Sequence, residues 1–362
     1  MPYSMGKNLI LTCYGASHAE CIGGIIEGLP EGIRLDFDRI KAFTDRRRPG
    51  MNAFSTGRRE GDEAVVLSGI TESGVTDGTP LRFEISNSDK KSADYGDKLT
   101  VPRPMHADFP AFMRYGSEFD HRGGGQFSGR MTAVICFAGA IALQILGERG
   151  ITIGAHALSV GGVFDDRIDA MNVTADELKA VISKQYPVIN SDAEEKMLSR
   201  IALAKSEGDS VGGRIECCVL GLPIGLGEPI YDTFEGRLSL NLFSIPAVKG
   251  VEFGAGFACA DMRGSEHNDP FAVRDGRVVT LKNDHGGILG GLTTGMPVNF
   301  CVAVKPTPSI SREQHSVNLD EMKNVTLTVG GRHDPCIVFR AVPCVEAVAA
   351  LTILDFFADI GE

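Results

Sequence analysis

Three histidines stand in loops where an imidazole can meet a ligand. His18 closes the turn GASH after a short β-rich run, His106 lies in the proline-braced PRPMHADF, and His333 sits between Arg332 and Asp334. Imidazoles fixed by glycine- or proline-held loops suit proton transfer near neutral pH. Arginines gather in the same stretches. Arg46, Arg47 and Arg48 are consecutive, Arg58 and Arg59 adjacent, and Arg103, Arg122, Arg130 and Arg332 lie beside Gly, Pro or His. A guanidinium fork meets carboxylate or phosphate through paired hydrogen bonds. Gly supplies 44 of the 362 residues, well above the usual ~7%, so backbone is placed for close approach again and again. Together these residues point to charge neutralisation and acid–base work on a small polyanion in a pocket. Singly, each arginine has a solvated surface ion pair as its alternative.

Other patterns narrow the chemistry. KPTPSI, Lys305–Ile310, uses two prolines to fix a lysine and two hydroxyls after a strand, which suits phosphate or a flavin edge and equally suits a turn. No dinucleotide-binding GxGxxG or Walker A sequence occurs, nor HExxH or a Cys/His zinc spacing. A net charge of −11 and a pI near 5.3 disfavour a broad nucleic-acid or anionic-membrane surface. The nine cysteines show no CxxC, and most lie in apolar strings, as expected of small core hydrophobes in a reducing cytoplasm.

The elements that must position these residues centre on Phe119 to Leu146, FDHRGGGQFSGRMTAVICFAGAIALQIL. A glycine-rich loop runs into a helix that is apolar all round and therefore belongs in the interior. Ser128 marks its start. Arg130 in the first turn opposes the helix dipole and calls for an anionic partner, either a ligand or a carboxylate of the chain itself. The C-terminal part repeats the design: Gly330, Gly331 and Arg332 precede a second apolar helix with Pro343 in its first turn. Strands are expected at 8–14, 22–27, 63–70, 80–85, 151–160, 209–220, 248–257 and 296–304. Helices are expected at 35–44, 175–184 and 193–206, and RRRPGMNAFSTGRREGDE is a long polar loop. Strand pairs flank the helices without strict βαβ alternation, so an α+β arrangement is expected, as one domain over 1–362.

Taken together, the motifs resemble the chorismate synthase family. GASH, DRRRPG, RPMHAD, RGGGQFSGR, GDSVGG, GLGEPIYD, SIPAVKGVEFGAGF, RGSEHND, NDHGGILGGLTTG, KPTPSI and GRHDPC follow that family's order from Gly6 to about Leu354. The resemblance implies a β-α-β sandwich with central apolar helices between antiparallel sheets, assembled as a homotetramer in the cytoplasm. It also implies a lyase that uses reduced FMN, supplied by an external flavin reductant, with no nucleic-acid or membrane partner. Family members convert 5-enolpyruvylshikimate 3-phosphate to chorismate by 1,4-trans elimination of phosphate, in the shikimate pathway of aromatic amino acid biosynthesis.

Carried over by position, His18 resembles the histidine that protonates the departing phosphate. His106 resembles the one that supports anionic reduced flavin, and Asp334 the aspartate acting through flavin N5 in removal of the ring proton. Ser17, Arg47, Arg103, Ser128, Arg130 and Arg332 match substrate-binding positions. Gln126, Phe127, Ser128, Pro246, Ala247, Gly290, Lys305, Pro306, Thr307, Pro308, Ser309 and Arg332 match flavin-binding ones. The chain departs from the family at Ala19 and Met105, where Gly is usual, at Ala53, where Arg is usual, and at Phe127, where a small residue is usual. If position 19 or 105 requires a positive φ, its side chain strains the loop. Ala53 also bears on the nicotinamide (NADP) role that some relatives assign to that arginine pair. The alternative these departures suggest is a divergent paralogue that binds flavin or a polyanion without full activity.

Overall fold

The computed structural model describes residues 3–50, 61–88, 99–330 and 334–359. Two five-stranded antiparallel sheets face each other across a layer of helices. The first runs Tyr3–Met5, Ile10–Gly15, Cys21–Glu27, Leu81–Ser86, Ala64–Ser68 across its width. The second runs Val163–Phe164, Thr152–Val160, Gly213–Leu220, Val298–Val304, Val248–Phe253. Leu81–Ser86 alternates buried and more exposed residues, as a strand covered on one face should. Thr152–Val160 is buried on both faces, because the helices Ala175–Ile182 and Ser191–Ser206 cover its outer side.

Between the sheets lie the central helix Thr132–Glu148 and the C-terminal helix Val338–Asp359, packed on each other. The segments Gly129–Glu148 and Val338–Ala358 are long and apolar enough to span a bilayer, yet they are 83% and 94% buried within this fold, so their apolarity serves the core. Phe83 of the first sheet packs on Phe137 of the central helix with ring centroids 4.4 Å apart. The helices meet most tightly at Gly139: a Cβ there would lie 2.3 Å from the Cβ of Ala347 and 2.5 Å from its Cα. Buried carboxylates pin the C-terminal helix to its surroundings. Asp355 accepts the backbone N–H groups of Lys7, Asn8 and Leu9 and pairs with Arg237. Glu346 accepts the N–H of Ala155 at 2.9 Å and both Nη groups of Arg46 at 2.5 and 3.0 Å, which fixes the start of the triple-arginine segment.

The α+β sandwich matches the expectation, and the expected strands and helices appear with shifted ends. Pro343 differs: it lies inside Val338–Asp359, beyond the first turn where a missing N–H has no consequence. Several elements are additions to the expected set, among them the helices Asp108–Tyr115 and Phe234–Leu242 and the hairpin of Glu313–Asn318 with Lys323–Thr328.

Gly139→Ala should lower stability by roughly 1–3 kcal/mol, because the overpacking outweighs alanine's better helix propensity. Gly147→Ala, in the same helix but with open space at its Cβ, should be neutral or mildly stabilising. Urea-unfolding midpoints of the two variants check this.

Candidate active site

Both interior helices point their N-termini toward a cavity of about 1170 Å³. That exceeds the ~300–1,000 Å³ of a typical small-molecule site and leaves room for two ligands. Its floor is the turn Gly123–Gly125, in which all three residues have positive φ, at 59°, 87° and 54°. The turn fits only without side chains. A Cβ on Gly123 would come within 2.7 Å of Ser17 Oγ and 2.8 Å of His18 Nε2, and one on Gly124 within 3.2 Å of His106 Nε2. The backbone N–H of Ser17 donates to Gly125 O at 3.1 Å, so the GASH turn is seated on the same loop. His18 and His106 therefore flank one glycine turn and line one cavity.

His106 is held from behind. Its Nδ1 lies 2.7 Å from Oδ1 of Asp108, a residue only 1% exposed. Asp108 also accepts from Arg103 Nε at 2.7 Å, Nη2 at 2.9 Å and backbone N at 3.1 Å. Arg103 Nη2 lies 3.2 Å from His106 Nδ1, but both face Asp108 Oδ1. A proton on Nδ1 satisfies the carboxylate, and Nε2 is left toward the glycine turn. Burial alone would raise the Asp108 pKa; hydrogen bonds from Arg103 and His106 outweigh it and hold the carboxyl well below the usual range.

A second buried carboxylate, Asp62 (φ 51°), joins Arg47 and Arg130. Arg47 Nη1 donates to Asp62 Oδ2 at 2.6 Å, Nε to Thr132 Oγ1 at 3.0 Å and Nη2 to Gly129 O at 3.1 Å. Arg130 donates to Asp62 Oδ1, to Asn87 Oδ1 at 2.9 Å and to Ser86 O at 3.2 Å, while its backbone N–H is capped by Ser128 Oγ. The anionic partner that Arg130 called for is thus within the chain. Burial opposes ionisation of Asp62, but Arg47 and Arg130 together lower its pKa.

The remaining wall carries Gln126, Phe127, Pro246, Ala247, Lys305, Thr307, Pro308, Ser309 and Asp334. Arg340 donates to Asp334 Oδ2 at 2.6 Å and, through Nε, to Arg47 O at 3.1 Å. Lys305 Nζ donates to Met105 O at 3.1 Å, and burial followed by Lys249 lowers its pKa. Met105 (φ 57°) and Ala247 (φ 77°) adopt the left-handed backbone, whereas Ala19 is absent from the positive-φ residues. Of the two expected strain points only Met105 is one.

Two residues expected at the flavin do not line this cavity. Gly290 (φ 60°) forms, with Gly291, the turn joining Ile288–Leu289 to Leu292–Thr293 and does not line the cavity; its permissive backbone serves that hairpin. Pro306 is exposed and outside the lining, since its role is to orient Lys305 and Thr307 on either side. Arg332, with His333, Arg58, Arg59 and Ala53, falls outside the described residues. Asp62 and Asn87 are site residues the sequence reading did not single out. Only Asp108, in the HAD of RPMHAD, stood beside a named histidine.

A family model described as chorismate synthase matches residues 9–358. The chain belongs to the chorismate synthase family. A chorismate synthase of Korarchaeum cryptofilum is 45% identical over 351 residues, covering 97% of this chain and 96% of that protein. One from Thermococcus gammatolerans is 46% identical over 350 residues, with the same coverage of 97% and 96%. A solved structure titled "Crystal Structure of Chorismate Synthase" superposes with a TM-score of 0.77 at 26% identity, over 98% of this chain and 93% of that one. The function is accordingly that of a chorismate synthase, a lyase acting on a small molecule.

Asp62→Asn should destabilise the fold at neutral pH by about 3–5 kcal/mol, since it leaves two buried guanidinium groups without their counter-charge. Asp62 and Asp108 both titrate lower folded than unfolded. Their contribution is complete above the unfolded value of about 3.9 and is lost as pH falls through the folded values. The gap between wild type and Asp62→Asn should therefore narrow below about pH 4. Urea unfolding from neutral to acid pH measures it.

Proposed function

We propose that the cavity takes reduced FMN together with 5-enolpyruvylshikimate 3-phosphate and catalyses 1,4-trans elimination of phosphate to give chorismate. The observation that carries this is the pair of imidazoles, His18 and His106, on one glycine turn in a cavity with room for two ligands. Two features fit a planar, polar cofactor. Thr307 Oγ1 is buried with no hydrogen-bond partner among the described residues, and the bare backbone of Gly124 leaves room for His106 beside the turn. Gln126, Phe127, Ser128, Pro246, Ala247, Lys305, Thr307, Pro308 and Ser309 would hold the flavin. When bound, it supplies electron density to a reaction with no net redox change.

The chain's own groups do the rest. His18, 8% exposed and pressed on Gly123, donates a proton to the departing phosphate. Arg103 and Arg340, each already anchored on a carboxylate, present directed positive charge to phosphate and carboxylates. Arg47 and Arg130 belong to the substrate site as a unit with Asp62, which holds their forks in place. Ser17 and Ser128 are polar partners beside them. His106 keeps Nε2 toward the cavity through Asp108. Asp334, fixed by Arg340, serves removal of the ring proton. Arg332 completes this set by sequence position.

The proposal includes a single unit over 1–362, supported by one apolar core drawing on residues from Leu9 to Phe357. It also includes a homotetramer in the cytoplasm, no nucleic-acid or membrane partner, and flavin reduced from outside the chain. The paralogue that binds without turnover remains the second reading, favoured by the strained Met105 at φ 57° beside His106.

Purified protein given substrate and chemically reduced FMN without oxygen should form chorismate. FMN binding to folded protein with no product would favour the second reading. His106→Ala should slow turnover about 10²–10⁴-fold with the fold retained. Asp108→Asn should slow it by a smaller factor and shift the imidazole toward a mixture of tautomers. Nitrogen NMR of histidine-labelled protein reads the tautomers apart from activity.

A further inference from the structure

Below the cavity floor, two thiols face each other across the helix pair. Cys136 of the central helix and Cys344 of the C-terminal helix are 0% and 2% exposed, with their sulfurs 3.7 Å apart. One turn further along both helices, Gly139 against Ala347 brings the two backbones into direct contact. That close approach sets the two helix backbones against each other one turn from the thiols. Both cysteines are free.

The two thiols are not equivalent. Cys344 lines the cavity and Cys136 does not. The thiol of Cys136 donates to the sulfur of Cys344, and Arg47 and Arg340 lie beside it, so the Cys344 pKa falls to about 7 despite burial. Burial raises Cys136 well above its ordinary value. Cys13 also lines the cavity, but burial pushes its thiol up to about 12. One reactive thiol thus opens on the site, with its resolving partner behind it.

We infer that Cys344 and Cys136 form an oxidative modification site, in which peroxide entering through the cavity converts the pair to a disulfide bridging the two core helices. The Cys344 thiolate attacks one peroxide oxygen: the S–O bond forms, the O–O bond breaks, and the departing oxygen takes protons to leave as water. The Cys136 sulfur then attacks the resulting sulfenic acid; the S–S bond forms, the S–O bond breaks and a second water leaves. Two thiols lose two electrons and two protons, and one peroxide becomes two waters.

The consequence reaches the site directly. Cys344, as a thiol, donates to the carbonyl of Arg340, whose guanidinium holds Asp334. Drawing the sulfurs from 3.7 Å to the ~2.05 Å of a disulfide removes that donor and shifts the first turns of both helices. Turnover should fall and return on reduction. The disulfide stands independently of the activity proposed above; only the change in turnover rests on it.

The test is fully reduced wild-type protein treated with hydrogen peroxide, alkylated and mapped by peptide mass. The expected result is a peptide pair linked through Cys136 and Cys344, formed more slowly in the presence of FMN, with a several-fold loss of turnover that dithiothreitol reverses. Cys136→Ala should give no cross-link but a sulfenic acid at Cys344 that dimedone traps. Oxidation confined to the exposed Cys259, with no link between Cys136 and Cys344, would overturn the inference; a cross-link that leaves turnover unchanged would overturn its effect on the site. A cross-link in protein that never turns over substrate would instead count against the reaction proposed for the cavity.

Discussion

Three consecutive glycines in the left-handed region set the distance between the two imidazoles of this site. At positions 123 and 124 a Cβ would crowd His18 at the first and His106 at the second, on a backbone whose positive φ already favours glycine. The turn is held at one end by Ser17 N–H on Gly125 O and continues at the other, through the 3-10 turn Gly129–Met131 that Ser128 caps, into the central helix. The cavity's chemistry depends on that helix being buried along its length: an apolar rod clamped between two sheets gives its first turn a fixed position.

The same economy of charge recurs around the cavity. Four arginines and one histidine of the site are tied to carboxylates of the chain: Arg47 and Arg130 to Asp62, Arg103 and His106 to Asp108, Arg340 to Asp334. In a protein of net charge −11, these acids do more than balance surface charge. They prevent like charges from driving one another apart before a polyanion arrives, and they fix the direction each donor faces.

The glycine–arginine loops, the histidine loops and the two all-apolar helices were legible because local composition dictates them. Asp62 was not, since it reaches Arg130 only when distant segments fold together. The hairpin Glu313–Thr328 escaped because its residues alternate between half-buried and exposed with few hydrophobes, EQHSVN against KNVTLT. Yet it braces the His106 loop: Ser316 Oγ donates to Pro102 O at 2.5 Å and Leu319 N–H to Thr100 O at 2.9 Å. Gly290, expected at the flavin, sits in a hairpin turn outside the lining of this cavity.

The most direct test compares kcat/KM for Gly123→Ala and Gly116→Ala in the anaerobic reaction with reduced FMN. Both glycines have positive φ, at 59° and 66°, but Gly116, with ψ −151° against 16° at Gly123, carries the larger backbone strain on substitution, so strain alone would put the greater loss at position 116. Only position 123 has Ser17 and His18 in the way, while position 116 has open space. Gly123→Ala should lose at least about tenfold in kcat/KM, ~1.4 kcal/mol of transition-state stabilisation, with Gly116→Ala close to wild type. Equal activity in the two variants would contradict a site organised on the glycine turn.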